Sequence, residues 1–377
     1  MLDRVPTEVR LGSQIFWCIL IFSRSPSLAH VCKRLRQLCT FTPIHIRTRY
    51  LLSCWLESYS LRFTGGLVVD TDIPSFAPKF VPTTYPPSGI QQKRAATADI
   101  LSFVSRFGIC TAAQLAAVER EVINAEMFGN ICQLHGIFHI ENGRFPYKPV
   151  SLSCHTAPER LVRAMKPWNT AELDGMPMPQ RDSLLRIYQL IIDMPPQDMP
   201  AGESPLPSFD KLELLLRLIL IHHASPNSNQ GFLLAMAVHA ESTPLICFML
   251  ACGADPMLRN GIALHISVKK GWIRGLRLLV ERDDRVEAHW RTILRQITNE
   301  LHNLSQIRCG NVTKTPHRHL GLNKRRRLAD RCQVDVSLLN AAVRSKAWDL
   351  VNYLMNQKGL VPDVDTLNLI DRHGGSI

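Results

Sequence analysis

The stretch 231–284 repeats its own pattern and decides the fold of the C-terminal part of this chain. It reads GFLLAMAVHAESTPLICFMLACGADP over 231–256, and the second copy over 261–280 reads GIALHISVKKGWIRGLRLLV. Leu234 and Leu264 lie 30 positions apart. Two short amphipathic helices and a turn, repeated at a fixed period, are typical of a stacked helical repeat. Because one pair could not bury its apolar face alone, we expect neighbouring pairs to stack.

The turns and helix starts of this stretch resemble those of ankyrin repeats. The family pattern is Gly-x-Thr-Pro-Leu-His-x-Ala, followed by a Gly, apolar positions and a closing Gly-Ala-Asp. The second copy matches it at Gly261, Leu264, His265 and Gly271. The first copy closes with Gly253-Ala-Asp, where glycine suits a helix end that needs a positive φ. Ile262 and Ala263 replace the family's Thr-Pro, so we expect a looser turn there.

Two weaker copies flank this pair. Leu339 and Val351 align with the second copy at an offset of 75, and residues 212–223 with the turn after them align upstream. We therefore expect an all-α fold in which residues 206–377 form an ankyrin-like solenoid; an irregular helical domain is the alternative. The repeat predicts a buried set of leucines: Leu234, Leu245, Leu250, Leu264, Leu278, Leu279, Leu339 and Leu354.

Composition bounds the class of protein. The chain has 377 residues, 46% of them hydrophobic, which suffices for two or three globular domains. Its net charge of +12 favours acidic partners without choosing among them. The 11 cysteines are scattered and odd in number, which indicates a reducing compartment and hence a cytoplasmic or nuclear location, or both. The apolar run 15–22 is too short to span a bilayer, so we expect no membrane partner.

Residues 1–60 carry a second pattern. Val5-Pro-Thr-Glu-Val9 opens it, and a later helix reads Val31-Cys-Lys-Arg-Leu35. Leu28, Val31, Leu35 and Leu38 fall at helical spacing and form one apolar stripe, with the basic residues off it. The segment resembles an F-box, in which three small helices dock into a groove on a partner.

The F-box resemblance implies binding to the Skp adaptor of cullin-based ubiquitin ligases. The positions that it assigns to this contact are Pro6, Val9, Ile15, Phe16, Leu28, Val31 and Leu35. The alternative is an N-terminal helical cap that packs on the rest of the chain. The two interpretations differ in what covers the apolar stripe, because three small helices cannot bury it among themselves.

Between the two patterns the sequence predicts a linker and a helical region. Residues 61–94 contain spaced prolines, which exclude a helix and favour an extended spacer. Residues 95–205 are mostly helical by pattern, either as degenerate repeats or as a separate layer. Thr111 and Gln114 have the spacing of a capping box, and we expect a helix from there to about Met127. A further helix over 181–193 is ended by prolines.

An insert at 285–332 interrupts the repeats. Its first part has apolar residues at helical spacing from Trp290 to Leu304, which predicts a helix. Its second part is polar and contains Lys324, Arg325, Arg326 and Arg327. This basic run is a candidate nuclear-import signal; contact with nucleic-acid phosphates and simple solvation are the alternatives. Without neighbouring aromatic residues we expect no nucleic-acid partner.

No catalytic constellation is present in the sequence. It contains no phosphate-binding Gly-rich motif, no G-x-S-x-G and no H-E-x-x-H, so we expect neither enzymatic activity nor a cofactor. One cluster in the insert, formed by Cys309, His317, His319 and Cys332, matches no zinc spacing, and we expect no metal.

The ankyrin resemblance assigns partner contacts to the repeat tips and first helices: Met257, Leu258, Arg259, Asn260, Lys269 and Lys270. The two resemblances together imply a non-catalytic adaptor that brings a protein substrate to a Skp–cullin–F-box ligase. The alternative is an ankyrin-repeat scaffold for protein–protein interaction without a ligase link, possibly in the nucleus.

Overall fold

The computed structural model describes residues 42–63, 100–123, 154, 156–163, 165–167, 170–195, 205–282, 284–309 and 330–373. The chain divides into two compact units, Met1–Pro158 and Glu159–Ile377. The boundary predicted at residue 205 lies inside the second unit. The described residues are mostly helical, as predicted, and their β structure is one short antiparallel pair, β1 (Met165–Lys166) with β2 (Leu206–Pro207).

In the first unit, helix α1 (Ile44–Phe63) packs against helix α2 (Ala112–Ile123), and residues 100–104 are also helical. The predicted capping box forms only in part. The Gln114 backbone N–H donates to Thr111 Oγ1 at 3.2 Å, which caps α2 as expected. The Gln114 side chain does not return to Thr111, because its amide donates to Ile44 O and Thr48 Oγ1 on α1 instead. The side chain therefore joins two helices.

The second unit is built from ten helices within the described residues. In chain order they are α3 (Met178–Ile192), α4 (Phe209–Leu216), α5 (Ser228–His239), α6 (Thr243–Ala251), α7 (Leu258–Lys269), α8 (Ile273–Val280), α9 (Asp284–Cys309), α10 (Val336–Arg344), α11 (Trp348–Asn352) and α12 (Val364–His373). Helices α4 and α11 each continue into one π-helical turn, Arg217–Ile221 and Tyr353–Gln357. Prolines at the first turn help to start α3 and α6, because a missing N–H costs nothing there.

Helices α5, α7, α10 and α12 form a row in which each contacts the next. Behind the row, α6 packs on α5 and α8 packs on α7, and α6 and α8 contact each other. The turn after three helices of the row has the same hydrogen bond of 3.0 Å: Ser242 N to Ala237 O, Trp272 N to Ser267 O, and Ala347 N to Ala342 O. These bonds recur at the same two offsets on which the repeat was predicted.

The entry turns into α5 and α7 also match. Residues 229–231 and 259–261 all have φ between 53° and 77°, a left-handed turn that ends in Gly231 or Gly261. A Cβ on Gly231 would lie 3.1 Å from Leu258 Cβ, so any other residue there would require Leu258 to shift slightly and would also strain the backbone at this positive φ. Regular helical backbone of α7 therefore begins at Ile262, directly after the turn.

The predicted core is confirmed. Every leucine of the predicted buried set lies on a helix or π-helical turn and is at most 8% exposed. Leu264 and Leu339, which the repeat aligns, are 3% and 0% exposed and lie on neighbouring helices α7 and α10. Burial at equivalent positions of consecutive helices is what joins the helix pairs into one core.

Replacing Leu264 by alanine should lower the free energy of unfolding of the second unit by about 2–3 kcal/mol, the lower part of the range for buried leucines. We expect the lower part because Leu264 borders an open cleft, into which neighbours and water can relax. Urea unfolding of the full chain measures this change. Val361, which is 78% exposed, provides the control, since Val361→Ala should change stability by less than about 0.5 kcal/mol. Equal effects of the two variants would contradict the burial.

Helix α9 packs against α3 and α6 and so belongs to the core of the second unit. Its predicted apolar stripe is buried along the whole length: Trp290, Ile293, Leu294, Ile297, Leu301 and Leu304. Trp290 Nε1 donates to Met194 O at 2.7 Å, just beyond the end of α3. The first part of the predicted insert therefore belongs to the core of the second unit, because its helix and α3 together cover α6.

A buried ion pair lies where α4 passes into its π-helical turn. Arg217 Nε donates to Glu213 Oε1 at 2.9 Å, and the two side chains are 4% and 1% exposed. Arg217 also donates to Ser305 Oγ at 2.7 Å and to Leu301 O at 3.4 Å, both on α9. The Arg217 guanidinium thus connects α9 to the end of α4 through hydrogen bonds. Nothing in the sequence pattern indicated this contact.

The backbone at residues 330–332 is fixed to the end of α8 and the start of α9. Arg331 N donates to Val280 O at 2.7 Å, and its Nη1 lies 3.0 Å from Glu287 Oε1. Lys358 bridges to both carboxylate oxygens of Asp330 at 3.0 Å. Residues 330–332 are therefore held by contacts with three separate parts of the second unit.

Candidate protein-binding face

The tip before α7 is built by interlocking turns. Asn227 Nδ2 donates to Gly253 O at 3.2 Å, and Asp255 N donates to Asn227 Oδ1 at 2.8 Å. Asp255 Oδ1 in turn accepts from Met257 N at 2.9 Å. These bonds tie one tip to the tip of the preceding helix pair. The tips consequently form a fixed edge.

The structure places three of the four predicted tip contacts at this edge with exposed side chains: Met257, Arg259 and Asn260. Met257 is 41% exposed, a large apolar side chain at a tip. Leu258 is half-buried and packs over the Gly231 backbone, so much of its surface is used within the fold.

Lys269 and Lys270 lie at the opposite end of α7. The regular helix over 262–269 separates them from the tip, which corresponds to about 12 Å. Lys270 Nζ forms an ion pair of 2.6 Å with Glu241 Oε1, whereas Lys269 is simply exposed. The six predicted contacts therefore form two groups on one helix, and a partner must span α7 to touch both.

A small cleft opens beside the tip, between α7 and α10. It is about 240 Å³ including space open to solvent, and it is lined by Met257, Asn260, Gly261, Leu264, His265, Gln333, Val334, Asp335 and Leu338. Because most of this volume is open to solvent, the cleft does not enclose a small molecule.

The described part of the chain holds no group of three or more metal-ligating side chains. Cys332 donates its thiol to Leu279 O at 3.7 Å, and burial, with Asp330 and Asp255 nearby, raises its pKa to about 11. Burial likewise raises the pKa of Cys247 to about 12. Both thiols are neutral at pH 7, and a neutral thiol is a poor nucleophile. The histidines of the considered zinc site lie outside the described residues.

Two predicted groups lie outside the described residues. They are the Skp-binding positions Pro6, Val9, Ile15, Phe16, Leu28, Val31 and Leu35, and the basic run Lys324, Arg325, Arg326 and Arg327. Their assignments stay predictions. No helix in the described part of the chain is both long and apolar enough to cross a bilayer. The two longest, α1 and α9, carry charged residues along their length.

Comparisons with known proteins give no relative. No protein-family model matches the chain, no curated protein matches it, and no solved structure matches it.

Proposed function

We propose that the chain is a substrate-recognition adaptor of a Skp–cullin–F-box ubiquitin ligase. In this proposal residues 1–60 bind the Skp adaptor, and ankyrin-like repeats in residues 206–377 bind a protein substrate. The observation that carries the proposal is the F-box-like pattern at residues 5–38, placed ahead of helix pairs that recur at the fixed period from Leu234 to Leu264.

The helix row supports the substrate-binding half of the proposal. Helices α5, α7, α10 and α12 lie side by side, and α3 and α9 pack against α6, a helix behind the row. The tips are tied together by Asn227 and Asp255, which gives a partner a rigid surface. Rigid surfaces bind with less loss of conformational entropy than loops that must order on binding.

An adaptor of this kind performs no chemistry. It acts by raising the effective concentration of substrate lysines near the ligase that its other end binds. Both ends must be engaged at once, so loss of either contact should abolish substrate ubiquitination.

Replacing Leu28 and Val31 by aspartate should abolish Skp binding, because a buried carboxylate without a charged partner is strongly unfavourable. The measurement is co-purification of the full chain with Skp, beside its thermal unfolding. The matched control is Val361→Asp with Val364→Asp, which makes the same chemical change at positions 78% and 74% exposed. The control should bind Skp as the wild type does, and both variants should retain the unfolding transition of the second unit.

Two outcomes would contradict the adaptor proposal. Wild-type chain that does not co-purify with Skp would favour an ankyrin-repeat scaffold without a ligase link. Global unfolding of the Leu28 and Val31 variant would show that residues 1–60 are a structural cap.

A further inference from the structure

Each helix of the row has an exposed lysine, arginine or histidine in its last turn. These residues are His239 on α5, Lys269 on α7, Arg344 on α10 and Arg372 on α12. The first three occupy equivalent positions at the two offsets of the repeat. We call these four residues the basic ladder.

Hydrogen bonds hold the ends of these helices side by side. The Lys270–Glu241 pair joins the ends of α5 and α7 at 2.6 Å, and Ser345 Oγ donates to Val268 O at 3.3 Å to join those of α7 and α10. Thr366 Oγ1, in the first turn of α12, lies 2.6 Å from Asn340 Oδ1 in the middle of α10, so these two helices also lie side by side. The ladder is therefore a feature of the packed fold.

The lysine and arginine side chains of the ladder form no ion pair within the described part of the chain. No carboxylate there lies within ion-pair distance of Lys269, Arg344 or Arg372. Attraction to the carbonyl end of each helix favours one cation per helix. Lys346, also exposed, adds a further positive charge in the turn after α10. Attraction to the helix end alone does not account for this additional charge.

Three acidic residues of the row lie at the other end. Asp255 precedes α7, Asp335 caps α10 through Leu338 N at 3.0 Å, and Asp363 caps α12 through Thr366 N at 2.7 Å. The hydrogen bonds from Thr366 lower the pKa of Asp363, so its carboxylate stays charged at neutral pH. The tips of the row thus carry three carboxylates beside Arg259, and the ladder lies at the opposite end of the helices.

We propose that the basic ladder binds an extended acidic peptide segment that runs across the four helices. This inference rests on the proposed function, since it names the chemistry of the protein that the repeats hold. Packed helices lie about 8–10 Å apart, and an extended chain advances about 10 Å in three residues. Carboxylates at every third residue of such a segment would have the same spacing as successive residues of the basic ladder.

The charge density favours a peptide over a nucleic acid. A nucleic-acid strand carries one phosphate per about 3.4 Å of duplex axis, whereas the lysine and arginine side chains of the ladder lie on helices about 8–10 Å apart. Exposed carboxylates also interrupt the ladder, namely Glu241 after α5, Asp349 on α11 and Asp371 on α12. They would repel a continuous polyanion, while an acidic peptide can place neutral residues opposite them.

The test uses the full chain and a fluorescent peptide of about 12 residues with glutamate at every third position. Fluorescence anisotropy measures its Kd at physiological salt. Reversing two rungs, with Lys269→Glu and Arg344→Glu, should raise Kd about tenfold, because each exposed charge contact contributes modestly. The control reverses two exposed cations away from the ladder, Arg274→Glu on α8 and Arg295→Glu on α9, and should change Kd less than about threefold.

A third variant replaces Lys324, Arg325, Arg326 and Arg327 by glutamine, since this run is the other strong source of positive charge. The proposal is overturned if this variant alone loses the peptide, if the control pair weakens binding as much as the rung pair, or if single-stranded DNA of similar length binds more tightly. Skp co-purification of the rung variant should be unchanged. Peptide binding without Skp binding would contradict only the adaptor proposal. Skp binding without peptide binding would contradict only the proposal that the basic ladder binds an acidic peptide.

Discussion

Replacing Arg217 by methionine is expected to lower the free energy of unfolding of the second unit by about 3–5 kcal/mol. The Glu213 carboxylate, 1% exposed, would lose the guanidinium that lies 2.9 Å away. Ser305 Oγ and Leu301 O would lose a donor as well. Removing one member of a buried pair is costly because the other charge stays in a medium that solvates it poorly.

The chain contains its own control for this prediction. Glu159 and Arg163 have the same residue types, the same spacing of four positions and a distance of 2.6 Å, but their side chains are 34% and 65% exposed. Arg163→Met should therefore change stability by less than about 1 kcal/mol. Urea denaturation of the full chain compares the two variants. Equal losses would show that burial of the Arg217 pair is not what makes it costly to break.

A double variant separates the value of the pair from the cost of breaking it. Glu213→Leu with Arg217→Met replaces both charges by apolar groups and should recover most of the stability lost in Arg217→Met alone. A double variant as unstable as the single one would indicate that the bonds of Arg217 to α9 dominate.

Trp290→Ala should cost about 3–5 kcal/mol, as truncation of a buried tryptophan does. Trp290 is 2% exposed, donates to Met194 O, and lies under the guanidinium of Arg331 at 5.4 Å. Trp290→Phe keeps most of the apolar contact and loses the hydrogen bond, so we expect about 1–2 kcal/mol. The measurement is the midpoint of urea unfolding, followed by circular dichroism because the variants change fluorescence.

Arg295→Ala on the same helix is the control for Trp290. Its side chain is exposed, and its replacement should stay within about 0.5 kcal/mol of the wild type. If Trp290→Ala shifted the midpoint as little as Arg295→Ala, α9 would be an addition to the fold and not part of its core.

The sequence pattern predicted the helix pairs and their buried faces. The offset between the copies was informative because apolar positions and turn glycines recur together, so Leu234, Leu264 and Leu339 could be assigned to one core. The stripe from Trp290 to Leu304 was visible because its apolar residues also recur at a regular spacing. Periodicity reports which face of a helix is apolar, since that face must be covered.

What covers each face was not predictable. Helix α3 and helix α9 are far apart in sequence, and no spacing rule connects Trp290 to Met194. Glu213 and Arg217 stand among leucines and isoleucines. This pattern predicts a buried helix, but it does not predict what the two charged side chains pair with. Arg217 also donates to Ser305 and Leu301, and the local sequence does not predict that these residues of α9 lie close to it.

The candidate site was predicted in part. Met257, Arg259 and Asn260 are exposed at a tip, whereas Leu258 packs on Gly231, and Lys269 and Lys270 lie at the far end of α7. The ankyrin resemblance assigned these residues to the tips and to the first helix of each pair, without giving the distance between the two groups. That distance follows from the helix, since each residue advances along the axis by about 1.5 Å.

The attachment of residues 330–332 has a consequence for the covalent connection between α9 and α10. Arg331 and Asp330 are held by Val280, Glu287 and Lys358, and α10 packs directly on α7. The chain after residue 330 is thus positioned by contacts that do not depend on the peptide bonds between 310 and 329. A chain cut within that span would persist as a noncovalent complex of two fragments, which would separate only when the second unit itself unfolds.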